Sequence, residues 1–508
     1  MQAGVRPPVA DFIFRIWISG AKKCPPLSCE TTGEGVVWDS ASHFSDLLVN
    51  FSAMFTGPSF NNFATLVAGW ITCIGRRQIS RVIRFGCVLG EGKQHAALYR
   101  FFSRARWSTD GLGETIFKLA LKHIPAGEKI YWVVDDTLCV KGGPHIWGCG
   151  MHRDLLRSSY TGADGRRAFF LFGHAWVILN VCLAMPWNAD KVIAIPIAVR
   201  LYRSKKRCPP ESYNKKSELA HEMVHMASRW LEPGRRVVLV GDREYAGHVL
   251  VRDLPDQIDF VGPMHMDAAL FDRPGPGPVR GRKRLKGQRL PSPNQLIGSR
   301  KVRWKRRKLV LYGKKLEVLI KSQRCLWYTV AKTRLLQMIV TRDPSGRIED
   351  RAYFTTDTRM GLGAIARSFS LRWSQEVMHR NVKQHLGLED PQNGWWRRAA
   401  GKRLKKKIAG PQPHRLRGRL AAERTVPFIL TTYALVVLWY LDNGSYQRDV
   451  ARARRWAPWY GHKHEPSFAD MLASLRRHII ASWNLRDPAI HAGSEKFDDP
   501  FVEWLCSA

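Results

Sequence analysis

Acidic residues are in short supply. The 508-residue chain carries 43 Asp and Glu against 81 Lys and Arg, a formal charge of +38. An excess of that size suits a polyanionic partner, and nucleic acid is the usual one. Paired cysteines are missing too. Ten cysteines are scattered singly, no C-x-x-C occurs, and the closest two, Cys24 and Cys29, have no histidine cluster beside them. This argues against a disulfide framework or a structural zinc site and fits a reducing compartment. Long apolar runs are absent as well. The longest, Val426 to Leu441, is too short to cross a bilayer and carries Thr431, Thr432 and Tyr433, so it reads as a buried helix. No leader peptide pattern is visible. These absences point to a cytoplasmic protein with no membrane partner.

What is present divides the chain into six stretches. Residues 1–50 read as an irregular extension, with Pro7-Pro8 and Pro25-Pro26. Residues 51–124 follow a helical pattern and carry Arg76, Arg77, Arg81, Arg84, Lys93, Arg100, Arg104 and Arg106 near Tyr99, Phe101, Phe102 and Trp107. Such a helical region can lie along a phosphate backbone or enter a groove. Residues 125–266 and 357–442 read as two parts of an α/β core, separated by a basic, β-rich insertion at 267–356. That insertion has fourteen Lys and Arg between Phe271 and Val310 against one acid, Asp272. Lys305-Arg306-Arg307-Lys308 is its densest cluster, and its Trp304 and Trp327 are residues that either stack on bases or fill a small core. A second basic run spans Arg397 to Lys407. Residues 443–508 read as a C-terminal helical region.

Chemistry is suggested at three places. Ile130 to Val134 is a β-branched and aromatic run that ends in Asp135-Asp136-Thr137. Val237 to Val240 repeats the design and ends in Gly241-Asp242. Continuous apolar character predicts strands buried on both faces, and acids at the carboxyl ends of neighbouring strands are where α/β sheets place their sites. The third is Phe369 to Lys383, where helical spacing puts Phe369, Arg372, Glu376, His379, Arg380 and Lys383 on one face. Leu371, Met378, Val382 and Leu386 form an apolar stripe opposite. A helix docked by that stripe presents one carboxylate among cations. Lys383 lies two turns from Glu376, about 10 Å along the axis, too far for a pair and well placed for a neighbouring phosphate. Two carboxylates from strands and one from a helix suit hard divalent cations, which bind oxygen ligands and keep several waters. Two such ions about 3.5–4 Å apart activate a nucleophile and steady the leaving oxygen of a phosphodiester.

The order Asp135, Asp242, Glu376 resembles that of the DDE transposases of bacterial insertion sequences. Arg372, Glu376 and Lys383 match R-x3-E-x6-K of that group's Y-x2-R-x3-E-x6-K signature, with Phe369 where the tyrosine would stand. Val-Val-Asp-Asp-Thr and Gly-Asp-Arg-Glu-Tyr-Ala-Gly are similar to its two Asp motifs. The segment from His95 to Phe102 with Trp107 is similar to its N-terminal portion. The likeness covers about residues 60–480. It implies an RNase H-like mixed sheet with flanking helices, interrupted by the insertion and preceded by the helical region. It further implies Asp135, Asp242 and Glu376 as catalytic and metal-binding residues. A D-x-[ST] pattern on the first strand of that fold selects Asp135, and Asp136 is the alternative; strand alternation lets only one of them face the metal. Arg372, Arg380, Lys383 and Lys305 to Lys308 are expected to grip DNA, with Arg372 and Lys383 acting on phosphates rather than pairing with Glu376. The resemblance implies Mg²⁺, with Mn²⁺ as a substitute, double-stranded DNA as partner, a homodimer on paired ends and a bacterial, nucleoid-associated setting. The activity implied is cleavage at mobile-element ends and joining of the 3′ hydroxyl to target DNA. The alternatives are a nuclease that never joins strands and a catalytically inactive DNA-binding derivative.

Overall fold

The computed structural model describes residues 42–88, 95–142, 146–154, 158, 169–275, 284–392 and 415–484. Expectations for residues 1–41, Lys93, Arg280 and the 397–407 basic run lie outside the described residues. In chain order, five helices come first: α1 Ser42–Val49, α2 Gly57–Thr72, α3 Ile79–Val88, α4 His95–Ser103 and α5 Thr109–Leu121. They are followed by β1 Ile130–Val140, β2 Gly150–Asp154, β3 Phe169–Met185, β4 Asn188–Tyr202, α6 Lys216–Ser228, β5 Val237–Gly241, the short α7 His248–Val251 and β6 Ile258–Met264. Next are β7 Leu270–Phe271, β8 Arg289–Leu290, α8 Pro293–Gly298, β9 Lys305–Leu311, β10 Lys314–Cys325, α9 Tyr328–Ala331, β11 Leu336–Arg342 and β12 Arg351–Thr355. The last helices are α10 Leu362–Ser370, α11 Trp373–Leu386, α12 Leu416–Asn443, α13 Tyr446–Trp456 and α14 Phe468–Asn484.

Two compact units emerge. The first is built from Ile116–Lys141 and Gly148–Arg380. It holds a ten-stranded sheet in the order β2-β3-β1-β5-β6-β12-β11-β10-β9, with β4 also paired to β3. Within it, β3 runs antiparallel to both its neighbours β4 and β1, while β5 and β6 follow parallel to β1. The strand order β4-β3-β1-β5-β6, with the first three antiparallel and the last two parallel, is the expected RNase H-like sheet. Its central strands need cover on both faces, and their composition provides it: all five residues of β5, Val-Val-Leu-Val-Gly, are buried. Helix α6 packs on β3 and β4, and α10 on β5, β6 and β12.

The basic 267–356 stretch does not form a body apart from this sheet. Its strand β12 pairs antiparallel with β6, and β11, β10 and β9 continue outward in antiparallel order. The reason is legible in burial: Met338, Ile339, Val340 and Phe354 are fully buried, so these strands have the apolar faces that sheet extension needs. Lys321, also buried, donates to the carbonyls of Leu296, Ile297 and Ser299 at 2.7–3.0 Å and so caps the C-terminus of α8 with a cation. Trp327 is core, edge-on to Phe354 with ring centroids 5.3 Å apart. Trp304 lies under the cations of Lys321 and Arg342, 4.8 and 4.7 Å from its ring.

The second unit comprises Met1–Thr115, Gly142–Trp147 and Asn381–Ala508. Its centre is Phe428 of α12, which touches the rings of Phe63, Trp70, Phe101 and Phe102 at 5.3–5.9 Å. Phe101, Phe102 and Trp107 are therefore core here, and the neighbouring Arg81, Arg84, Arg100 and Arg104 are the exposed groups. Arg77 is turned inward instead: its side chain donates to the carbonyl of Trp70 and its backbone N–H to Asp390. Helix α12 is longer than the run Val426 to Leu441 suggested. At 28 residues it is long and apolar enough to cross a membrane, yet 89% of its most apolar window is buried in the protein. A buried core helix accounts for that pattern.

Candidate active site

The sheet register brings the two acids together. Val134 of β1 pairs with Gly241, the last residue of parallel β5, so Asp135 and Asp242, the next residues, stand side by side. The expected end of β1 at Asp135 is corrected here: the strand runs on to Val140, because residues 135–140 continue the antiparallel pairing with β3. Gly241 has a local reason to be glycine: a Cβ there would stand 2.8 Å from the Cβ of Tyr245. The chain turns tightly after it, with the amides of Tyr245 and Ala246 donating to the carbonyl of Asp242. The Asp242 carboxylate accepts the Glu244 amide at 2.8 Å. These bonds hold the carboxylate at the mouth of the sheet.

Glu376 arrives from α11. The stretch from Phe369 is not one helix, as its spacing suggested. Helix α10 ends at Ser370, Leu371 and Arg372 form a turn, and α11 begins at Trp373. Met378, Val382 and Leu386 are buried as the apolar stripe requires, while Leu371 at the turn is only half-buried. Gln375 fixes this helix to the sheet by donating to the carbonyls of Asp135 and Ile178, 3.3 and 3.1 Å away. Phe369 packs against Tyr353, ring centroids 4.6 Å apart and the planes tilted by 41°, so its ring serves packing.

Arg372 joins the acids. Its Nη1 lies 2.7 Å from Asp135 Oδ2 and its Nη2 2.6 Å from Glu376 Oε1. The expectation that Arg372 does not pair with Glu376 is corrected here: the helical turn places the guanidinium between two carboxylates, and the opposite charges close on it. Burial, with Asp242 nearby, pushes the Asp135 carboxyl up to about 7, and burial raises Asp242 as well. Both acids resist ionising side by side, which is the condition a bound cation relieves. Asp135, Asp242 and Glu376 are hard oxygen donors of the kind a divalent ion takes, and Arg372 supplies the positive charge between Asp135 and Glu376.

Asp136 is committed elsewhere. Its Oδ2 takes Lys216 Nζ at 2.9 Å and its Oδ1 takes the Tyr245 hydroxyl at 3.2 Å. Lys216 also reaches Glu244 at 3.2 Å. The neighbouring acids of β1 thus serve different partners, as alternation along a strand demands. Lys216, Tyr245 and Gln375 were not singled out from sequence.

The remaining cations are dispersed. Arg380 is exposed on α11. Lys383 is half-buried and paired with Glu389 at 3.6 Å. Lys305, Arg306, Arg307 and Lys308 lie exposed along the edge strand β9, with Arg306 3.3 Å from Glu317. Lys141 and His152 are buried, and His145 lies outside the described residues.

No curated protein matches the chain in sequence. The cryo-EM structure of a piggyBac transposase synaptic complex with hairpin DNA is similar over 90% of this chain and 84% of that one. The identity is 9% and the TM-score 0.34, a likeness too remote to decide the fold or the chemistry. The match that decides is in sequence: residues 51–329, more than half the chain and including Asp135 and Asp242, fit the DDE superfamily endonuclease family. The chain belongs to the DDE superfamily of endonucleases.

Proposed function

We propose that this endonuclease is a transposase of the insertion-sequence type, cutting DNA at the ends of its element and joining the freed 3′ hydroxyl to a target. The observation that carries the reading is the placement of Asp135, within β1, beside Asp242 at the end of adjacent β5, with Glu376 held to Asp135 through one guanidinium. Asp135, Asp242 and Glu376 would hold divalent ions, Mg²⁺ first and Mn²⁺ in its place. Bound there, the ions supply charge neutralisation and a nucleophile at neutral pH. The chain's own residues do the rest. Gln375 and the Asp242 turn fix the carboxylates, and Asp136, tied to Lys216 and Tyr245, keeps β1 in register. Arg372, once its carboxylates are engaged, is free to turn to a phosphate. Arg380 and Lys383, the cations of β9 and the exposed arginines of α3 and α4 are the proposed DNA contacts, in a homodimer on paired ends. In domain terms, 51–124 is proposed to read DNA, 125–266 and 357–442 to supply the catalytic core, and 267–356 to grip phosphates.

The test uses purified protein, duplexes carrying the native element ends, and Mg²⁺. Nicking at the ends followed by joined product supports the transposase. Nicking without joining under any target supply leaves a nuclease. Asp135→Asn, Asp242→Asn and Glu376→Gln should each remove nicking while end binding in gel shift persists. Retained nicking in any of the three would overturn the site.

A further inference from the structure

A second constellation of ligating side chains lies on the other half of helix α6. His221 and His225 are one turn apart, with imidazole centroids 4.2 Å from each other. Both rings direct Nε2 at Asp253, in the segment between α7 and β6. His221 Nε2 is 3.0 Å from Asp253 Oδ2, and His225 Nε2 is 3.7 Å from the same oxygen and 2.6 Å from the Asp253 carbonyl. Among the described residues, this is the group of three whose ligand atoms all lie within 4.8 Å of one another. The three acids of the candidate active site, spread around a guanidinium, do not form such a group.

We propose that His221, His225 and Asp253 form a binding site for a borderline divalent transition metal of the Zn²⁺ class. Histidines at i and i+4 present both rings on one helical face, the spacing that metal-binding helices use. Two imidazole nitrogens and one carboxylate oxygen make a donor set that suits Zn²⁺ and its neighbours and is wrong for Mg²⁺, which prefers oxygen alone. The site differs from the candidate active site in chemistry and in position. Lys216, which holds Asp136, begins α6, and His221 and His225 sit about 7 and 13 Å further along its axis. The side chains are within reach of solvent, with Asp253 75% exposed, so an ion can enter and complete its coordination with water. Its structural effect is also defined. Asp253 belongs to the crossover joining β5 to β6, and an ion there would tie α6 to that crossover. The helix whose first residue secures Asp136 would then be pinned at both ends.

The test uses the full-length protein stripped with EDTA, titrated with Zn²⁺ in excess Mg²⁺ so that the oxygen-rich site is occupied. One equivalent of Zn²⁺ should bind, and thermal unfolding should shift upward by several degrees at saturating metal. Co²⁺ in its place should give the visible absorption of a nitrogen-ligated, low-coordinate ion. His221→Ala/His225→Ala should weaken binding at least ~100-fold and abolish the thermal shift, since two of three protein ligands are gone. Asp253→Asn, a change at an exposed side chain that cannot unfold the protein, should cost about tenfold or more in affinity. The proposal is overturned if the parent takes up no Zn²⁺ in the presence of Mg²⁺. It is equally overturned if the double-histidine variant and Asp253→Asn bind it as the parent does. Nicking by the Mg²⁺-loaded protein reports separately on the transposase reading, so failure of one leaves the other standing.

Discussion

The guanidinium of Arg372 is shared between Asp135 and Glu376, at 2.7 and 2.6 Å. It therefore stands as a cation between two of the acids proposed to hold metal. On that proposal, metal and arginine compete for the same charge. Arg372→Ala should destabilise the protein in EDTA by about 1–2 kcal/mol, mostly through Asp135, because Glu376 is 37% exposed and its share is screened. Added Mg²⁺ should restore more stability to this variant than it gives the parent. Thermal melts with and without the ion read the difference, and equal metal-induced shifts would show that arginine and ion do not share a site.

The raised Asp135 carboxyl has a consequence for stability against pH. Its folded value, about 7, exceeds its ordinary value of 3.8. The unfolded chain thus binds fewer protons through this window, and stability falls as pH rises from about 4 to 7. Asp135→Asn removes the charge that burial opposes. In EDTA the variant should match the parent near pH 4, gain on it through the window, and hold a constant advantage of about 2–4 kcal/mol above pH 7. Chemical denaturation at several pH values checks the curve. A parent whose stability does not fall across this window would mean that Asp135 ionises without penalty.

Much of this arrangement was legible in the chain. Val-Val-Asp-Asp and Val-Gly-Asp announced two strands because a run buried on both faces has to be apolar throughout, and register then did the pairing. Strand β5 ends before its acid as expected, whereas β1 runs on past Asp135 and Asp136 to Val140, held by its pairing with β3. The helix carrying Glu376 was visible through Met378, Val382 and Leu386. Less visible was the break at Leu371–Arg372, since apolar spacing continues across a single tight turn. The i,i+4 spacing of Arg372 and Glu376 does allow their pair; what spacing cannot show is Asp135, 237 residues away, whose carboxylate holds the guanidinium beside Glu376. The strands β9 to β12 read as a separate insertion because Pro274-Gly-Pro-Gly-Pro278 looks like a boundary. That an antiparallel strand can extend a parallel edge is a tertiary fact. His221 and His225 were overlooked because a pair of histidines on a helix signals little until a third ligand from a distant segment meets them.

On the proposed reading, the exposed edge at Lys305 to Lys308 meets phosphates rather than bases. Four consecutive cations on an edge strand point alternately to both faces of the sheet, a geometry that deters strand pairing and offers no single reading face. Replacing all four by Gln should weaken binding to unrelated duplexes alike. It should also reduce the slope of log affinity against log salt by up to about 3–4. Arg306, paired with Glu317 at 3.3 Å, should contribute least of the four. Titrations at several salt concentrations measure this, and a preserved slope with lost sequence preference would assign the edge to base reading.

Lys216 supports the last prediction. It is 19% exposed and bonds both Asp136, 15% exposed, and Glu244. Lys216→Met leaves Asp136 with only the Tyr245 hydroxyl as partner. Removing one member of a buried pair costs about 3–5 kcal/mol when water is fully excluded, and here a loss of about 2–3 kcal/mol is expected because the pair is partly wetted. The damage should come from the stranded charge rather than from lost packing. Lys216→Met/Asp136→Asn, which removes both charges and keeps the bond to Tyr245, should therefore recover most of the stability. If Asp136 only keeps β1 in register, the double variant should also recover Mg²⁺-dependent nicking. Recovery of stability without nicking would instead mean that the reaction needs the charge of Lys216 or Asp136 itself. Urea unfolding and nicking assays on the single and double variants separate these outcomes.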